Sequence, residues 1–277
     1  MLRDDEELGE ELIRVNYLRT HVAPSETNRL HCHPFYEILL IDKGGIRYST
    51  PDGYTDVTGK TVIFHCVHDI HNPFVQYSQL YDRYRIQFDR SLLDGYFKFH
   101  DDIDTALSES YIKHLEDREF EEIYSLTRKL YELSDGVAVT KPEARICLYL
   151  AMIIMKCFDA VPIKSPAEES YITEVADYIN RNCNKPLTIE SIAESFFVSR
   201  GKLIYDFKRY SNISILEYIT ATRIKMAKEC LTKGFSVSGA AAECGFSSSS
   251  YFIKVFSNLM GVTPLKFQMQ YNAKKQR

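Results

Sequence analysis

Residues 188–209, TIESIAESFFVSRGKLIYDFKR, and residues 236–258, SVSGAAAECGFSSSSYFIKVFSN, repeat one pattern within a single stretch of chain. In each copy apolar residues at helical spacing (Ile189, Ile192 and Ala193; Val237, Ala240 and Ala241) lead into a short turn. A second apolar stripe follows, through Leu203 and Phe207 or through Phe252 and Phe256. Ala193 and Ala241 are 48 residues apart and Phe207 and Phe256 are 49 apart, so the copies run almost in phase. A stripe of period 3.6 that is broken by a turn and then resumes describes two helices crossing at a short connection. The alanines allow the close crossing, and Gly245 supplies the positive φ that such a turn often requires. Phe197 stands at the equivalent place in the first copy, so that turn is expected to be longer or differently shaped.

Each second helix commits one face to its core and leaves the other free. The free face carries Gly201, Ile204, Tyr205 and Lys208 in one copy and Ser249, Ser250, Ile253 and Lys254 in the other. Helices of this width fit the major groove of B-DNA. Charge agrees with that use: residues 168–277 carry 15 Lys and Arg against 10 Asp and Glu, whereas residues 1–167 carry 19 against 28. An acidic front is therefore joined to a basic back, and two tandem helix-turn-helix units on a basic segment point to DNA.

IAESFFVSRGKLIYDFK, then RIKMAKECL (Arg223 to Leu231), then AAECGFSSSSYFIKVFSNLMGVTP closely resemble the DNA-binding domain of the AraC (arabinose-regulator) family, over about 100 residues. The resemblance implies that a long helix, matched by Ile215 to Leu231, sets the two units on successive major grooves. Arg223 matches the family's arginine there and reads as structural first, a phosphate contact second. Gly201, Ile204 and Tyr205 match base-facing positions of the first unit, and Ser249, Ser250, Ile253 and Lys254 match those of the second, with Ser248 beside them. Arg, Asn and Gln are missing from this set, so discrimination should rest on thymine-methyl contacts, serine hydrogen bonds and DNA shape. Arg200, Lys202, Lys208, Arg209 and Lys254 are expected to meet phosphates.

The front of the chain has another rhythm. From Asn16 to about Phe88, short β-rich runs (YEILLI, IRYST, TVIF, YRIQF) alternate with the turn signals DKGG and PDG, which predicts an all-β module, a small barrel or a sandwich. From about Ser91 the period becomes helical: Phe120, Ile123, Tyr124, Leu126, Thr127 and Leu130 form one stripe, and a second helix starts near Pro142. Ala144 to Phe158 is apolar on most faces and reads as a subunit interface, so these helices are expected to make a homodimer. AVPIKSPAEE (160–169) reads as the linker.

Histidine concentrates in the β module: all eight lie before residue 115, five of them in 31–33 and 65–71. On an unbroken strand His31, His33, Phe35 and Glu37 of HCHPFYE would share one face, although Pro34 points to an edge or a strand start. Imidazole and carboxylate on one face suit iron, manganese, nickel or zinc, with a fourth ligand from His65, His68 or His71. His31 to Gly44 resembles the first motif of the cupin barrels and VHDIHN their second histidine segment, with His71 as the matching histidine; YDRYRIQFDRSLL (Tyr81 to Leu93) is similar to the stretch that closes such barrels. AraC-type domains commonly follow cupin-like sensors, whose members often keep this pattern without metal or catalysis. The expectation is therefore an effector pocket lined by His31, His33, Tyr36, Glu37, Tyr48 and His71, with Tyr54 near, and a sugar or sugar derivative as ligand. No metal and no other cofactor is expected; were a metal bound, His31, His33, Glu37 and His71 would hold it.

The assembled reading is a two-domain chain: a cupin-like ligand-sensing β-barrel (1–104), dimerisation helices (105–160), a linker (161–169) and an all-α DNA-binding domain of two helix-turn-helix units (170–277). It predicts an effector-controlled transcriptional regulator, not an enzyme, most simply an activator, with promoter DNA and, for an activator, RNA polymerase as partners. A metal-dependent cupin enzyme with a DNA-binding tail and a ligand-independent regulator whose barrel only dimerises are the alternatives. Seven scattered cysteines (32, 66, 147, 157, 183, 230, 244) without a Cys-x-x-Cys pair argue against disulfides and thiolate zinc. The longest apolar run, Ile146 to Met155, is about half of a bilayer span, and MLRDDEELGEEL is acidic where a secretory signal is basic, so a cytoplasmic location is expected.

Overall fold

The computed structural model describes residues 11–22, 30–75, 79–94, 96–97, 101–134, 143–162 and 170–275. Of the expected linker, residues 163–169 lie outside the described residues, as does the helix start at Pro142.

The β region consists of β1 (Ile13–Val22), β2 (Tyr36–Lys43), β3 (Ile46–Thr50), β4 (Gly53–Val57), β5 (Thr61–His65), β6 (Asn72–Val75), β7 (Gln79–Phe88) and β8 (Tyr111–His114). They form a five-stranded sheet in the order β1-β7-β2-β5-β8 and a three-stranded sheet in the order β4-β3-β6, every pair antiparallel. The expected closed barrel is therefore two facing sheets. Alternation fixes which face of a strand is buried but not which edges meet. The stretch from Tyr81, expected to close a barrel, instead forms β7 between β1 and β2, inside the larger sheet. β8, in a region read as helical, pairs with β5 and adds an edge to that sheet.

Strand alternation sorts the larger sheet into two chemistries. Ile38, Leu40, Val62, Phe64, Tyr84, Ile86 and Phe88 face a helical layer of α1 (Ser91–Asp94), α2 (Asp101–Ala106), α3 (Asp117–Ser134) and α4 (Ala144–Asp159). On the opposite face Leu39, Ile41, Ile63 and Tyr81 meet Ile46, Tyr48 and Val57 of the small sheet. The apolar character of α4 is mostly spent on this layer, since Ile146, Cys147, Leu150, Ala151, Ile153, Ile154 and Cys157 are all buried within the chain. Leu148, Met152 and Phe158 remain exposed. The helix pair, expected to need a second copy to cover it, has the sheet to bury against.

The C-terminal region is all helix: α5 (Tyr171–Asn182), α6 (Ile189–Ser195), α7 (Arg200–Ser211), α8 (Ile215–Thr232), α9 (Val237–Glu243), α10 (Ser249–Met260) and α11 (Pro264–Lys275). Serine or threonine side chains at Ser170, Thr188, Ser199, Ser214, Ser236 and Ser248 accept a backbone N–H from the first turn of α5 to α10 in sequence, satisfying donors that a helix start leaves unpaired. α7 and α10 both end on a left-handed residue, Asn212 and Gly261.

The small sheet docks on these helices through its outer face. Arg47 pairs with Asp56 (2.7 Å), donates to the Tyr210 carbonyl (3.1 Å) and lies 3.6 Å over the Tyr210 ring. The Ser49 hydroxyl donates to the Ser211 carbonyl (3.3 Å), and the Tyr218 hydroxyl to that of Pro51 (3.1 Å).

Candidate DNA interface and a buried histidine cluster

In both units Ala193 and Ala241 are buried at the helix crossing. The two turns have the same shape: Val198 N–H donates to the Ala193 carbonyl (3.1 Å) and Phe246 N–H to that of Ala241 (3.0 Å), with φ of +54° at Phe197 and +76° at Gly245. The expected difference between the turns is thus absent, because Phe197 adopts the positive φ itself. Its ring is 97% exposed, so no packing opposes that backbone. Gly245 has no such freedom: a Cβ there would stand 2.8 Å from the Asn184 carbonyl oxygen.

The free faces read from the helical period reach solvent. Gly201, Ile204, Tyr205 and Lys208 on α7 and Ser250, Ile253 and Lys254 on α10 are exposed, and Ser249 is half-buried. Ser248 is exposed, but its hydroxyl caps α10. Among the cations, Arg200 pairs with Glu190 (2.7 Å), Lys202 with Asp206 (2.6 Å), and Lys208 donates to the Asn212 carbonyl (2.7 Å); Arg209 is exposed. Pairs this exposed contribute little and exchange readily for phosphate. On α8 the Arg223 guanidinium donates to the carbonyls of Cys183 (2.7 Å) and Lys185 (3.1 Å), fastening the connecting helix to the segment after α5. The β region docks away from these exposed faces.

A family model described as a helix-turn-helix domain matches residues 192–270. This region is an AraC-type helix-turn-helix domain. The HTH-type transcriptional regulator YijO of Escherichia coli (strain K12) is 30% identical over 131 residues, which are 46% of this chain and 46% of that protein. The bifunctional transcriptional activator/DNA repair enzyme AdaA of Bacillus subtilis (strain 168) is 32% identical over 106 residues, 38% of this chain and 50% of that protein. The chain thus spans about half the length of these curated relatives. ToxT from Vibrio cholerae aligns with 94% of this chain and 98% of its own at 13% identity, with a TM-score of 0.36. No helix among the described residues is long and apolar enough to cross a membrane.

The AraC-type domain has behind it, between the two sheets, a buried cluster of histidines. β2 begins only at Tyr36, so residues 31–35 are not the unbroken strand that would put His31, His33, Phe35 and Glu37 on one face. His33 reaches Glu37 nonetheless, its Nε2 3.7 Å from Oε1, and its ring stacks on Phe35 at 4.1 Å between centroids. An isolated bridge joins His31 to His71 and brings their rings to 4.4 Å. His71 Nε2 lies 4.0 Å from the same Glu37 oxygen. Tyr48 stacks on His71 and bonds His65 Nε2 (2.7 Å), and the His65 ring stacks on His71 at 4.1 Å. Tyr36 is not part of this site: neighbouring residues on a strand face opposite ways, and its ring packs with Phe64 and Phe88 on the helical side. Tyr54 faces Phe207, Tyr210 and Tyr218 in the docking surface. His65, one of the three histidines considered for a fourth ligand, lies in register opposite Glu37, and Gln87 belongs to the site without having been singled out; its register opposite Glu37 was the missing information.

The protons follow from the hydrogen bonds. His33 Nδ1 lies 2.9 Å from the Phe35 carbonyl and His71 Nδ1 2.9 Å from that of Asp69. A carbonyl only accepts, so each Nδ1 carries a proton; the His71 ring, kept neutral by burial, turns an Nε2 lone pair toward Glu37, and the Nε2 of His33 faces the same oxygen. Gln87 donates to the other carboxylate oxygen (3.0 Å), which fixes the orientation of Glu37. Burial holds the His65 imidazole down at about 4 and His71 well below the ordinary histidine range. Burial also opposes ionisation of Glu37, but His33, then His71 and Arg85, outweigh it and keep its carboxyl well below the usual carboxylate range. Three electron-pair donors, from His33, Glu37 and His71, thus lie within 4.8 Å of one another. Such an arrangement favours a group that brings hydrogen-bond donors or positive charge.

Proposed function

We propose that this chain is a sequence-specific transcriptional regulator that binds promoter DNA through α7 and α10 and takes a small-molecule effector at the histidine cluster. The observation that carries this reading is the pair of matched, solvent-facing recognition faces on a basic domain whose opposite side is docked. A hydroxyl-rich molecule, a sugar or sugar derivative, suits the cluster because its O–H groups would donate to the converging acceptors of His33, Glu37 and His71 beside the ring of Tyr48. The exposed Leu148 and Met152 of α4 are the surface for a second copy.

Footprinting of the full chain on promoter fragments tests the DNA reading. Tyr205→Ala and Lys254→Ala should each weaken specific binding by about tenfold with the melting temperature unchanged, and Lys254→Ala should also reduce the salt dependence of binding. Unchanged footprints in both would remove the assignment.

A second reading rests on the same three donors. Two imidazoles and a carboxylate, each imidazole donating its other N–H to a carbonyl, fit a divalent transition ion held by His33, Glu37 and His71. Elemental analysis of the purified full chain separates the readings: stoichiometric metal that disappears in His33→Ala and His71→Ala favours the ion.

A further inference from the structure

Two short segments, 30–33 and 68–71, serve the cluster and the AraC-type domain at once. They are joined by paired backbone hydrogen bonds, His31 N–H to the His71 carbonyl (3.0 Å) and His71 N–H to the His31 carbonyl (2.9 Å), and by His68 N–H to the His33 carbonyl (2.7 Å). Their side chains divide between two sides. His31, His33 and His71 turn inward, their rings within 6.4 Å of one another. The residues between them turn outward onto the second helix-turn-helix unit. Ile70 is buried in one core with Ile224, Ala227, Phe256, Met260 and Phe267, and Leu30 and Cys32 pack against that core. The Cys32 thiol donates to the Leu259 carbonyl (3.1 Å) at the end of α10, and the His68 ring meets that of Phe267 on α11 edge-on at 5.8 Å. On α8, Lys228 pairs with Asp69 (2.9 Å) and donates to the His68 carbonyl (2.8 Å). The first unit is held mainly by the small sheet, through Arg47, Ser49 and Tyr54; of the bridged segments Leu30 also packs against its core.

We infer that the bridged segments 30–33 and 68–71 act as a two-sided clamp, which positions the second recognition helix from its outer side and is shifted by whatever engages the histidines on its inner side. The physical requirement is that both sides belong to the same few residues. A backbone displacement that brings His33 or His71 toward Glu37 must carry Cys32 and Ile70 with it, because each is covalently adjacent and the two segments are hydrogen-bonded together. A group that satisfies the three converging acceptors draws the segments inward and loosens their hold on α10 and α11. Asn72, next in sequence to His71, adds a second indication. Its side chain is fully buried, its register partner is Ser49 on the docked face, and among the described residues neither its amide nitrogen nor its oxygen has a hydrogen-bond partner. A docked surface that leaves a buried amide unsatisfied is weaker than its area implies, as a surface that must shift should be.

This inference gives the regulation of the site proposed above and rests on that reading only for the identity of the natural trigger. Glu37→Gln tests it without any ligand, because the new amide N–H can donate to the Nε2 lone pair of the neutral His71 ring and so mimics an engaged cluster. Hydrogen–deuterium exchange on the full chain reads residues 249–275 against residues 189–211. The expected result is exchange about fivefold faster in 249–275 for Glu37→Gln, with residues 189–211 much less affected. Lys228→Met should act in the same direction, and the double variant should fall short of the product of the two effects. His33→Gln, read in the same way, replaces Glu37→Gln if that variant does not fold. Unchanged exchange in 249–275 for the cluster variant, unchanged exchange for Lys228→Met, or strictly multiplicative effects would each overturn the clamp. A thermal-shift screen of the full chain against sugars, sugar acids, Zn2+ and Co2+ tests the effector reading separately: a screen without a hit defeats that reading and leaves the exchange result standing.

Discussion

The two helix-turn-helix units share a length, a serine cap at the start of each recognition helix and a left-handed residue at its end, yet the β region holds them by different chemistry. The first unit is gripped through hydrogen bonds: Arg47 and Ser49 donate to the carbonyls of Tyr210 and Ser211, which the end of α7 leaves without helical partners. The second has an apolar centre, Ile70 with Leu30 and Cys32 around it, flanked by the Cys32 thiol on the Leu259 carbonyl and by Lys228 on Asp69 and the His68 carbonyl. Hydrogen-bond geometry is directional and fixes orientation, whereas apolar contact tolerates sliding. The unit joined to the histidine cluster is therefore the one whose attachment has an apolar centre that can slide, tethered at its side by the flexible Lys228 side chain.

Ile70→Ala should break this contrast most severely. It removes a branched side chain from a shared core, and a loss of about 3 kcal/mol is expected in chemical denaturation, with amide protection lost first in α10 and α11. Acid should act on the same side. His65, held at about 4, stays neutral in the folded chain while its unfolded counterpart takes up a proton near 6.5, so stability falls as pH drops from about 6.5 to 4, by about 3 kcal/mol. Melting temperatures across that range measure it, and a flat profile would mean that the cluster is already protonated in the fold. Gly245→Ala forces a Cβ toward Asn184 at positive φ and should cost about 2 kcal/mol. Arg47→Ala should cost a similar or slightly smaller amount, about 2 kcal/mol, and should raise exchange at the end of α7 rather than in α10. Phe197→Gly is the smallest and has the opposite sign: it relieves the positive φ and removes a ring that packs on nothing, so a gain of up to about 1 kcal/mol is expected.

Much of this was legible in the sequence, where the relevant spacing is local. The two units, their caps and their exposed faces follow from residues three and four apart, and the acidic and basic halves from counting. The β region was legible as strands but not as an arrangement. The chain gave no sign that β8 would return to the edge of β5, or that α4 would find its cover within the chain. Within the candidate site, Glu37, His33 and His71 were recognisable from their types and pattern. Tyr36 was counted among them as a tyrosine that could stack on a hydroxyl-rich ligand, but alternation next to Glu37 turns it to the helical side, against Phe64 and Phe88. Phe197 shows the opposite limit: its departure from glycine suggested a changed turn, but an exposed side chain let the backbone keep its shape at a modest cost in strain.

By itself the sequence determined what each segment can be: two helical hairpins with basic free faces, a run of short strands, and histidines at spacings that suit donor groups. Those properties depend on neighbours within a few residues, and periodicity reports them directly. The tertiary structure alone decided which segments meet. It placed His65 and Gln87 opposite Glu37, turned the alternate residues of 30–33 and 68–71 toward two different partners, and set Lys228 on Asp69 across 159 positions of chain. Contacts of that range depend on register and sheet order, which follow from the packing of the whole domain and leave no periodic trace in any one segment.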